Sequence, residues 1–105
     1  MPLTRSFKET VLSRVRADPA FRDALLTEAT QAMLEGDLAT GKAVLRDYIN
    51  ATLGWAELGK AVAPPPTSLI RMFGPKGNPR ADSLFSIISH LQKQTGAHLQ
   101  VKVQR

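Results

Sequence analysis

This chain contains no cysteine, only two histidines and no long apolar run, and each shortage removes a class of explanation. Without cysteine there is no disulfide framework, no thiolate zinc cluster and no thiol nucleophile, a composition that suits a reducing cytosol. His90 and His98 are the available bases near neutral pH. No combination of serine, histidine and acid accompanies them, nor any metal-ligand spacing, so neither enzyme activity nor a metal or other cofactor is expected. His90 reads as an ordinary member of the last helix and His98 as an exposed residue. The opening segment MPLTRSFKETVL lacks the apolar core of a signal peptide, and no stretch approaches the length of a membrane span; a soluble, cytoplasmic protein is expected.

What the 105 residues do contain is helical punctuation. With 43% hydrophobic and 22% charged residues, the chain suits one domain with a modest core, whose uncovered surface a second copy would help to close. Ser6 and Glu9 form a capping box, and Phe7, Val11, Leu12 and Val15 recur at helical spacing up to Ala17. Asp18 can cap and Pro19 open the next helix, with Phe21, Leu25, Ala29, Ala32 and Met33 on its apolar face and a stop at Gly36. Asp37 repeats the device for a third helix, whose stripe is Leu38, Leu45, Ile49 and Leu53; it tolerates Gly41 and ends at Gly54. A last helix starting near Arg80 carries Leu84, Ile87, Ile88 and Leu91 on one face and ends near Gly96. The tail from His98 to Arg105 alternates apolar and polar residues, the period of a strand with Leu99, Val101 and Val103 on one face. With no second strand evident in the chain, that strand is expected to pair with its copy in a dimer or with an exposed sheet edge on another protein.

Between the third and last helices lies the segment WAELGKAVAPPPTSLIRMF, Trp55 to Phe73, whose apolar and small positions fall where a helix-turn-helix needs them. Leu58 and Val62 form the inner face of a first short helix, Leu69 and Met72 that of a second. Gly59 is the small residue where the two approach closely. Ala63 and the prolines stop the first helix, and Pro66 suits the opening position of the second, which runs towards Gly74. Charge coincides with this segment. Up to Gly54 the basic and acidic side chains balance at seven each, whereas Trp55 to Arg105 holds seven basic residues against two acidic, so the net charge of +5 sits in the second half. Such a surface attracts a phosphate backbone.

If the second helix enters a major groove, Pro66, Thr67, Ser68 and Arg71 are its exposed residues at the DNA, and Thr67, Ser68 and Arg71 are the candidate readers. Arg71 can span a guanine edge or hold a phosphate, and the hydroxyls can reach either. Lys76, Asn78 and Arg80, in the loop GPKGNP and just after it, suit the sugar-phosphate backbone. The six aromatics, Phe7, Phe21, Tyr48, Trp55, Phe73 and Phe85, read as core or subunit-contact residues, since duplex reading by a helix needs no stacking platform.

From Trp55 to Val101 the chain resembles the Cro/C1-type (Xre) helix-turn-helix family, in particular the HigA-like antidote proteins of addiction modules. The resemblance rests on Leu58-Gly59, on SLIRM at Ser68 to Met72, on GPKGNP at Gly74 to Pro79 and on LFSIISHL at Leu84 to Leu91. The upstream segment GDLATGKAVLRDYINAT, Gly36 to Thr52, also looks like sequence that precedes this domain in such antidotes. The resemblance implies a repressor of its own operon that also neutralises a toxin. Three positions depart from the family pattern: Ala63 stands for a turn glycine, Trp55 for a polar phosphate contact and Pro66 for a polar base reader.

These observations together predict an all-α helical bundle with a short C-terminal β-strand. Residues 1–54 would form an N-terminal helical part open to a toxin or a dimer contact, and residues 55–105 the helix-turn-helix part with the strand, within one compact domain. The expected partners are double-stranded DNA, a second copy of the chain and a cognate toxin. The alternative function is a helical protein-binding module without specific DNA binding.

Overall fold

The computed structural model describes Thr10, residues 13–62 and residues 65–105. The Ser6/Glu9 capping box, Phe7, Val11, Leu12 and the turn residue Ala63 lie outside the described residues. Residues 13–17 are helical, and Val15 among them is fully buried, as its spacing predicts.

Local chemistry then sets each helix. The Asp18 carboxylate accepts from the N–H groups of Ala20 and Phe21 at 3.1 and 3.2 Å, and Pro19 opens α1, Pro19–Leu34. Its end is a Schellman turn: Asp37 N–H donates to Ala32 O and Gly36 N–H to Met33 O, with Gly36 at φ 90°, where a side chain would be strained. Asp37 caps α2, Leu38–Ala51, through Thr40 N–H at 3.2 Å. Hydrogen bonds from the Thr40 side chain and then its N–H hold the Asp37 carboxyl below its ordinary range. Three further helices follow: α3, Gly54–Ala61; α4, Pro66–Met72; and α5, Ala81–Thr95. The last closes on Gly96 in the left-handed conformation.

One cluster of apolar side chains joins these helices: Leu26 and Ala29 from α1, Leu45, Tyr48 and Ile49 from α2, Leu58 from α3, Leu69 from α4, and Leu84, Ile87, Ile88 and Leu91 from α5. All four residues expected on the inner face of α5 are buried. In α1 the centre of the buried face is Leu26 with Ala29, flanked by the half-buried Leu25 and Met33. Gly41 is more than tolerated. A Cβ there would run into the Met33 side chain and lie 3.0 Å from Ala29 O, so glycine lets α2 cross against α1. Tyr48 is wholly buried at the centre, and its hydroxyl makes no hydrogen bond of good geometry. Burial pushes the Tyr48 pKa up, and Thr95 offsets this only in part.

The expected C-terminal strand is not formed: the described residues are all-α, with no strand among them. Leu99 alone of the alternating set packs against the core, tethered by its N–H to Gln92 Oε1 at 2.8 Å. Val101 and Val103 are 79% and 84% exposed. Alternation satisfies the pleat of a strand, but a strand also needs a ladder of backbone partners, and this fold offers the tail a glutamine side chain instead.

Candidate nucleic-acid interface

The α3–α4 pair occupies the place the sequence suggests. Leu58 is fully buried and Val62 nearly so on the first helix, Leu69 and Phe73 on the second half of the unit, and Met72 packs partly against them. Pro65 is the N-cap of α4 and Pro66 its first residue; Ser68 N–H and Leu69 N–H both donate to Pro65 O at 3.0 Å. A proline pair sets this start because neither residue has an N–H to leave unsatisfied. Gly59 faces Pro66: a Cβ on Gly59 would stand 2.5 Å from Pro66 Cγ and 2.7 Å from Cδ. Trp55, at the start of α3, lies over Phe73 with ring centroids 5.6 Å apart, and its indole N–H donates to Asn50 Oδ1 at 2.7 Å. It is a joint between α2, α3 and the end of α4, in keeping with its reading as a core aromatic.

On α4 the solvent face is narrower than the sequence suggested. Thr67, Ile70 and Arg71 are exposed, whereas Pro66 and Ser68 are half-buried. Thr67 and Arg71 thus share a face at i and i+4, with Ile70 between them at i+3. No side-chain hydrogen bond caps α4, so neither Thr67 nor Ser68 is spent on its N-terminus. Ile70 was missed as a face residue. Its spacing from Thr67 carries the signal, but the run Leu69, Ile70, Met72, Phe73 does not reveal which apolar residue faces out.

The loop after α4 is held from a distance. Lys42, on α2, sends its ammonium to Gly77 O at 2.7 Å and Gly74 O at 3.2 Å, across 35 and 32 residues of chain. Gly77 itself lies under the end of α4, where a Cβ would collide with the carbonyl oxygens of Arg71 and Met72. The loop therefore turns carbonyls inward to Lys42 and leaves Lys76, Asn78 and Arg80 exposed. Arg80 Nε stands 3.4 Å from Asp82 Oδ1 in a pair open to solvent, which holds it only weakly. Thr67, Arg71, Lys76, Asn78 and Arg80 form one exposed set on α4, the following loop and the residue before α5; Pro66 and Ser68 belong to its support. Lys42 is the contributor that sequence reasoning did not name, because its partners are backbone carbonyls.

Elsewhere the described residues offer little chemistry. No group of three His, Cys, Asp or Glu residues among them could hold a metal, and none of their helices is long and apolar enough to cross a membrane. His90 is half-buried and His98 exposed. Neither a family model, nor a curated protein, nor a solved structure matches this chain.

Proposed function

We propose that this protein is a sequence-specific DNA-binding repressor that inserts α4 into the major groove. The observation that carries the reading is the exposed pair Thr67 and Arg71 on one face of α4, followed at once by a buttressed loop that leaves Lys76, Asn78 and Arg80 exposed to meet a phosphate backbone. Groove edges are read by the helix, phosphates are gripped by the loop, and the basic second half of the chain supplies the long-range attraction. Pro66 and Ser68 set the start of the reading helix, and Thr67 and Arg71 do the reading. No chemistry on the DNA is part of this reading.

The rest follows the resemblance to HigA-like antidotes. In that reading the protein acts in the cytoplasm as a homodimer on its own operator, with half-sites about one helical turn apart, and its α1–α2 hairpin remains available to a toxin. The alternative keeps the same basic face but gives it an acidic protein partner.

The deciding experiment is binding of the full chain to duplex DNA from upstream of its own gene, beside a scrambled duplex of equal length, at two salt concentrations. A preference for the native sequence that persists at the higher salt supports the operator reader. Equal, salt-labile binding to both duplexes overturns it in favour of the protein-binding module.

A further inference from the structure

Ile70 is 48% exposed on a seven-residue helix whose other large apolar residues, Leu69 and Met72, are buried or half-buried. It stands at i+3 from Thr67 and beside Arg71, so the one apolar patch on α4 lies within the face that also carries its hydroxyl and its guanidinium. Stability gives no reason for it there. A β-branched side chain in this helix position forfeits rotamer freedom while about half of it stays in water. Among the edges that a B-form duplex displays in its major groove, the apolar group is the C5-methyl of thymine.

We infer that Ile70 is a specificity residue that packs against a thymine methyl, selecting an A·T pair next to the base or phosphate engaged by Arg71. This rests on the reading of α4 as the helix that enters the groove. The exposed cations Arg71 on α4 and Lys76 and Arg80 in the segment after it match a polyanion, and the side chain is long enough to reach a base edge only if α4 lies in the groove. The competing apolar candidate on the same face is the γ-methyl of Thr67, and the test separates the two.

The test starts from a duplex that the full chain selects from a random pool. Each thymine is then replaced singly by deoxyuridine, which keeps the pairing and removes only the methyl. The wild-type chain loses about fourfold in affinity at one thymine, the loss of one buried methyl group. Ile70→Ala binds the thymine duplex more weakly by at least that factor and no longer distinguishes thymine from uracil at that position, while Thr67→Ser still does. With about half of Ile70 in water and alanine the better helix former, Ile70→Ala stays close to the wild-type unfolding midpoint. A wild-type chain that prefers its selected duplex yet is indifferent to every uridine overturns the role of Ile70 and leaves DNA reading standing, as does uridine sensitivity that survives in Ile70→Ala. A wild-type chain for which selection yields no preferred sequence overturns the DNA reading itself.

Discussion

Gly59 on α3 and Pro66 at the start of α4 are in direct apposition, so close that a methyl group on Gly59 would stand 2.5 Å from the proline ring. The two short helices meet where one residue has no side chain and the other has a ring with a fixed backbone angle. Gly59→Ala is therefore expected to destabilise the protein by about 1–2 kcal/mol, overpacking outweighing the gain in helix propensity. Urea unfolding followed by the emission of Trp55, the single tryptophan, reads this directly, since Trp55 lies on Phe73 across the same unit. An unchanged midpoint would mean that the helices part without cost.

Lys42 and Lys76 should separate support from contact. Lys42→Met removes the ammonium that holds Gly74 O and Gly77 O; it should cost about 1–3 kcal/mol of stability and weaken DNA binding without changing its salt dependence. Lys76→Ala should leave stability within about 0.5 kcal/mol and reduce the slope of log affinity against log salt by about 1. Titrations at four or five salt concentrations distinguish the two patterns.

Arg71→Ala is expected to relax discrimination at one base pair by about 1–3 kcal/mol if the guanidinium spans a guanine. Uniform weakening across a panel of single-pair variants would assign Arg71 to a phosphate instead.

Tyr48 makes stability fall at high pH. Its pKa is raised in the folded state by burial, so the folded chain holds the phenolic proton more tightly than the unfolded one. The resulting stabilisation is complete below the ordinary value of 10.0 and is lost as pH rises from there through the raised folded value. As this is the chain's single tyrosine, tyrosinate absorbance and unfolding midpoints can be followed on one sample. Tyr48→Phe should abolish this contribution and, since the buried hydroxyl has no hydrogen bond, should leave stability at pH 7 unchanged or higher.

Removing Val101 to Arg105 should leave the melting temperature within about 2 °C, because every one of these residues is exposed. Leu99→Ala, by contrast, should cost about 1 kcal/mol through lost contact with the core. Equal effects of the two changes would show that the outer tail also packs.

The helix starts at Pro19, Leu38 and Pro66, the stops at Gly36 and Gly96 and the inner face of α5 were legible because each depends on residues within a turn of one another. Asp18 reaches N–H groups two and three positions on, and a glycine needs only its own freedom to end a helix. The Gly59 crossing was legible from a short range too, seven residues from Pro66, in the spacing of the two short helices. Four features needed the folded chain. Lys42 meets its carbonyls across more than 30 residues, and one lysine looks like another until the chain closes. Gly77 is not among the positive-φ glycines, yet glycine is required there by the carbonyls of Arg71 and Met72. The tail has the period of a strand, but period describes one segment and a ladder requires two. On α4, finally, four apolar residues crowd seven to eight positions; periodicity gives the spacing of a face, and the shared apolar cluster, which takes in Leu69 and Phe73, determines that Ile70 is the one left largely exposed.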